Sequence, residues 1–181
     1  MLAIPGVIAI TAFHELAHCI GVWIQNGSIT SFTCIPSAGK WGAVEYEFPP
    51  GLVYNSELIA LAPYIASCAL IALAWFMSSR SQPWPFAVVS TIFVWLFIVP
   101  TADIANAAIP YVIWDVDNDL RHAFGSAGLF EVAAAVAMAL GIVCVGYAIQ
   151  KRLYRDLALR PSPYGILATV GFLLVLGVTA C

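Results

Sequence analysis

Charge is what this 181-residue chain holds least of: 9% of its residues are Asp, Glu, Lys or Arg, 62% are hydrophobic, and the mean hydropathy is +0.92. Soluble domains carry about 25% charged residues, so this composition is that of an integral membrane protein. Basic clusters are missing outside residues 151–160 and the formal net charge is −3, which together argue against nucleic acid as a partner. The five Cys form no CxxC pair and lie scattered in apolar sequence, so they read as small buried hydrophobes and not as metal ligands. No basic n-region or cleavage site precedes the first apolar run, and no removable signal peptide is expected.

Long apolar runs are what the chain does hold. Five of them, at about 1–24, 58–77, 84–107, 127–149 and 163–180, approach the ~20 residues a helix needs to cross a bilayer. They predict an all-α integral membrane protein of the cell membrane, a single domain over 1–181 built as a bundle of about five transmembrane helices. Pro63 in the second run sits among the small residues Ala60, Ala62, Ala66 and Ser67, a composition for close helix packing in which neighbours re-satisfy the carbonyl the proline frees. Between the first two runs, residues 28–51 predict two short strands, about 29–35 and 42–48, joined around Ser37-Ala38-Gly39-Lys40 and stopped by Pro49-Pro50-Gly51. Such a hairpin can lie at the membrane boundary and offer an edge to an extended peptide, or be an ordinary surface hairpin.

The first run breaks its own apolarity with His14, Glu15 and His18. Positions i and i+4 share a helix face, so the two imidazoles can serve one ion, and Glu15 stands beside it to work on a water. This is HExxH, in which two His bind zinc and the Glu is general base of a metal-assisted hydrolysis. A shuffled chain of this composition would contain the pattern about once in a thousand trials, so coincidence is a weak rival to the motif. The plain alternative is a His pair bonded to backbone or to a neighbouring helix.

Catalytic zinc commonly takes three protein ligands and keeps one position open. Asp103, in the third run, is the candidate third ligand. If successive spans alternate in direction, it lies within about two helical turns of the depth of His14 and His18. Pro100 can loosen the helix before it. Asn106, at i+3, shares its face and is expected to hydrogen-bond the ligand or the substrate. A carboxylate satisfied by Thr101, Asn106 or water is the simpler account of Asp103. Competitors are Glu57 and Glu131, near span ends, and Asp115, Asp117 and Asp119 in the loop after the third run. Asp115, Asp117 and Asp119 form DVDND, which lacks the Gly and closing Glu of a calcium loop and reads as a solvated acidic loop, with His122 an exposed or capping residue beside it.

HELAH at His14 to His18, the strand-forming segment 28–48 and PTADIAN around Asp103 together resemble the site-2 protease family of intramembrane zinc metalloproteases, over about residues 7–107. The resemblance implies Zn2+ held by His14, His18 and Asp103, Glu15 as catalytic base, and membrane-embedded proteins or peptides as substrates within the lipid bilayer. Ala102-Asp103-Ile104 stands where the family usually has Leu-Asp-Gly, Ala62-Pro63 corresponds to its Gly-Pro, and there is no room for a PDZ domain, so the chain resembles a small, divergent member. Lys151, Arg152, Arg155 and Arg160 place their loop in the cytoplasm and the metal end outside; the resemblance implies the reverse. Two other classes fit the composition: a metal-binding membrane protein without proteolysis, including an inactive relative acting as a regulator, and an ion transporter relaying through Glu57, Asp103 and Glu131, for which no inverted repeat is visible.

Overall fold

A computed structural model describes residues 3–34, 42–79 and 85–153. The chain is mostly helical. Helix α1, Ala3–Ile24, leads into strands β1, Ser28–Thr33, and β2, Ala43–Glu47, which pair antiparallel, with an irregularity in register between Ile29 and Ser31. Helix α2 spans Ser56–Ser78. Next come α3, Phe86–Phe93, a π-turn over Val94–Ile98, and α4, Val99–Trp114, in one continuous rod. A short α5, Asp119–Phe124, precedes α6, Leu129–Leu153.

Among the described residues, three helical stretches, Ser56–Ser78, Thr91–Trp114 and Leu129–Arg152, are long and apolar enough to cross a membrane. Their boundaries follow the second, third and fourth hydropathy runs closely, although the third reaches Trp114 and not residue 107. Both expected strands form. The turn around residues 37–40 and the fifth run at 163–180 lie outside the described residues.

Local chemistry explains where the elements begin and bend. The Asn55 side chain accepts from the Leu58 N–H at 2.8 Å and starts α2. Pro100 lacks the N–H that an α-helix would send to the Leu96 carbonyl; the rod answers one turn earlier by widening, and the Val99 N–H reaches back five residues to Val94. The π-turn packs into an apolar core of Ala74, Val89, Ile92, Phe97, Ile98 and Ile149, which joins α2, α3 and α6. Gly21 lets α1 lie directly on α2: a Cβ there would stand 3.1 Å from Ala62 Cβ and 3.4 Å from Ile59 Cα. That close approach fixes the relative height of the first two helices.

After Trp114 the chain turns back toward the bundle. Asp115 ends α4 in the left-handed region with φ 51, and the Asn118 amide donates to the Ala107 carbonyl at 2.9 Å, two turns below the end of α4. The Asn118 side-chain oxygen accepts from the N–H groups of Leu120 and Arg121 and so starts α5. Arg121 holds the Asp115 carboxylate at 3.1 Å and also its carbonyl. DVDND is therefore a tied fold-back in which Asp117 stays solvated, as expected, while Asp119 turns inward.

Candidate metal centre

His14 and His18 project from α1 with ring centroids 4.8 Å apart and planes at 78°. Each uses its Nδ1 on the protein. His18 Nδ1 lies 2.8 Å from the Ile59 carbonyl of α2. An α-helix would give that carbonyl the N–H of residue 63, but residue 63 is proline, so the oxygen is free for the imidazole. His14 Nδ1 lies 2.7 Å from Asp103 Oδ1, and the other Asp103 oxygen accepts from the Ser67 hydroxyl at 2.9 Å.

These partners assign the tautomers. A carbonyl only accepts, and the carboxylate accepts from Ser67 and from His14, so both Nδ1 atoms carry the proton and both Nε2 atoms are bare in the neutral rings. The two Nε2 atoms face one another at 3.1 Å, and Asp119 Oδ2 closes the triangle at 3.1 Å from His14 Nε2 and 3.2 Å from His18 Nε2. Three acceptors at that separation repel unless a cation lies among them. A proton can serve one pair; a divalent ion serves all three. The edges of a tetrahedron with ~2.0–2.1 Å bonds measure ~3.3 Å, so the triangle has the size of one face of a zinc coordination sphere. The donor set of two imidazoles and a carboxylate is also a zinc set.

Asp103 therefore does not occupy the third-ligand position expected from the sequence. It is brought to the ligand pair, but behind it: its oxygen meets the nitrogen of His14 that faces away from the triangle, and Asp119 supplies the third donor atom. A carboxylate bonded to the rear nitrogen of a ligand His fixes its tautomer and orientation. Neither Thr101 nor Asn106 serves Asp103, and the Thr101 hydroxyl and the Asn106 amide oxygen are buried without a hydrogen-bond partner. Glu57 is exposed in the first turn of α2, and Glu131 accepts from the Gly128 N–H at 2.9 Å, so the relay positions are not assembled around Asp103.

Asp119 is held from two sides, with the Tyr64 hydroxyl also reaching its Oδ2 at 3.5 Å. Burial alone would raise the Asp119 carboxyl, but its hydrogen bonds to His14 and His18 and their charge outweigh burial and hold it well below the usual carboxylate range. Sequence reasoning ranks this residue only among the competitors of Asp103, because acidic loops are ordinarily solvated; the one local signal in its favour is Asn118 as a helix-starting residue directly before it.

A cavity of about 500 Å³ opens on the triangle. Glu15, 8% exposed, lines it beside His14, and Gly42 together with Ala43, Val44 and Tyr46 of β2 forms a further wall. Gly42 is required by closeness: a Cβ there would stand 2.6 Å from Glu15 Oε1 and 2.7 Å from Thr11 Cγ2. His122 borders the cavity from α5 but is largely exposed, with Asp117 at 4.0 Å, in keeping with the expected exposed position. Among the described Cys, Cys19 is buried as expected, whereas Cys68 and Cys144 are exposed on α2 and α6.

No protein-family model, curated protein or solved structure matches this chain.

Proposed function

We propose that this chain is a zinc-dependent intramembrane endopeptidase, a small and divergent relative of the site-2 protease family. His14, His18 and Asp119 hold the ion, and Glu15 is the general base. The observation that carries this reading is the triangle of two bare imidazole nitrogens and one carboxylate oxygen at 3.1–3.2 Å, with a second carboxylate, Glu15, on the same cavity.

Zinc, when bound, supplies the Lewis acidity that lowers the pKa of water toward ~7 and polarises a carbonyl. The chain's own groups do the rest. Glu15 accepts the proton of the attacking water as its oxygen bonds to the scissile carbonyl carbon, then delivers it to the amine as the C–N bond breaks. Asp103 with Ser67, and the Ile59 carbonyl, keep the two imidazoles turned toward the cavity. Three long apolar helices support a multi-pass placement in the cell membrane, and a membrane-embedded substrate has to unwind locally to present its amide. The β2 wall supports an extended substrate segment lying along the hairpin.

The test is cleavage of a transmembrane-segment peptide by the purified protein, with zinc measured in parallel. Glu15→Gln is expected to retain zinc and lose cleavage by about 100-fold or more. Undiminished cleavage by the variant rejects the role of Glu15. A wild-type protein that binds zinc but cuts nothing, under conditions where an active relative cuts, rejects the peptidase reading in favour of a metal-binding regulator.

A further inference from the structure

Hydrolysis of an amide places negative charge on the carbonyl oxygen, and a fixed donor aimed at that oxygen lowers the barrier more than a mobile one. The donors around the cavity are few. The Tyr64 hydroxyl is spent on Asp119 at 3.5 Å, both imidazole Nδ1–H groups are spent on Asp103 and Ile59, and His122 is largely exposed beside Asp117. Tyr46 differs from all of these. It lines the cavity from β2, two positions from Val44 and four from Gly42, and among the described residues no group hydrogen-bonds its hydroxyl.

The ring is also immobilised. Tyr46 packs edge-on against Phe48 with centroids 5.7 Å apart, and Phe48 stacks on Tyr54 at 4.1 Å with planes 8° apart. An aromatic ladder of this kind holds a side chain by its body and leaves its polar tip available. Burial, together with the neighbouring Tyr54 and Asp119, pushes the Tyr46 phenol up, so it stays a neutral donor through the physiological range.

We propose that the Tyr46 hydroxyl is a catalytic hydrogen-bond donor to the oxygen of the scissile carbonyl, in the cavity it shares with Glu15. The hydroxyl keeps its proton throughout; the transferred proton passes from water to Glu15 to the leaving nitrogen. Gly42, just before β2, and Tyr46, on it, then take two tasks, with the first making room for the base and the second supplying the donor.

This inference rests on the peptidase reading, and the experiment separates their failures. Tyr46→Phe keeps the ring and its stack and removes only the hydroxyl. In the zinc-loaded protein it is expected to lower kcat by about 10- to 100-fold with KM and zinc content unchanged, since a lost oxyanion donor acts on the transition state alone. Binding is read independently with a phosphinic peptide, whose tetrahedral oxygens imitate the hydrated carbonyl. Its affinity is expected to fall by a similar factor in Tyr46→Phe, while that of a peptide hydroxamate, which anchors on zinc, is unchanged. Wild-type kcat and wild-type phosphinate affinity in the variant overturn the donor role and leave the peptidase reading intact. A raised KM with unchanged kcat overturns it in favour of a cavity wall. A wild-type protein that neither cleaves nor binds the phosphinate overturns both.

Discussion

Pro63 and His18 are joined through one oxygen atom. The proline withholds the N–H that would close an α-helical bond to the Ile59 carbonyl, and the Nδ1 of His18 takes that carbonyl at 2.8 Å. A helix defect in α2 thereby sets the tautomer of a ligand on α1. Restoring the N–H with Pro63→Ala makes the helix compete for the same acceptor. Zinc affinity is expected to fall about 10-fold, the size of an outer-shell effect, while the metal-free protein unfolds at a higher temperature. Competition titration with a chromogenic chelator measures the first and a melting curve the second; unchanged affinity would sever the link between the two residues.

In the proposed centre Asp119, and not Asp103, is the third ligand, and paired variants test that assignment. Asp119→Asn removes a donor atom from the triangle and is expected to abolish stoichiometric zinc at micromolar concentrations. Asp103→Asn leaves the triangle intact and weakens zinc about 10- to 100-fold by disturbing His14. The reverse order of severity would return Asp103 to the coordination sphere.

Gly42 faces Glu15 without room for one more carbon. Gly42→Ala must displace the Glu15 carboxylate or lift β2 from the cavity. Cleavage is expected to drop at least ~10-fold with zinc stoichiometry retained, because a misplaced base costs rate without removing a ligand. Thr11→Ser, which removes the Cγ2 methyl contacting that position, is expected to recover part of the loss. Wild-type activity in Gly42→Ala would show that Glu15 tolerates displacement and sits in no fixed catalytic position.

The acid limb of stability should belong to Asp119 in the metal-free protein. Its folded carboxyl lies below the unfolded value of about 3.9, so the folded state binds fewer protons. The stabilisation is present above that value and is lost as pH falls below it. Thermal unfolding followed by tryptophan fluorescence between about pH 3 and 6 should decline toward acid in the wild type and be flatter in Asp119→Asn. A parallel decline in the two proteins would refute the assignment.

The parts of this architecture that follow from periodicity and punctuation were legible in the sequence. HELAH gave a face with two imidazoles, Pro49-Pro50-Gly51 closed the hairpin, and hydropathy set α2 and α6 to within a few residues. The depth argument for Asp103 also brought it to His14, since helical rise is a fixed length per residue. It could not say which imidazole nitrogen the carboxylate would meet, because that is decided by ring orientation and by the Ser67 hydroxyl on another helix. Asp119 ranked low for a different reason: the five charged or amide-bearing positions in 115–121 look alike in sequence, and only the Asn118 bond to Ala107 singles out Asp119 to face inward. Cys68 and Cys144 misled in the opposite sense, because apolar surroundings in sequence suit a lipid-facing surface as well as a core.

The fold-back after Trp114 sets a timing as well as a geometry. His14, Glu15 and His18 leave the ribosome about a hundred residues ahead of Asp119, which arrives only after α2 and the α3–α4 rod and must then be drawn down by Asn118. Throughout that interval the half-built centre lacks its third donor. On the peptidase reading proposed above, a nascent chain would stay hydrolytically silent until α2 and α4, which flank the candidate site, have been made.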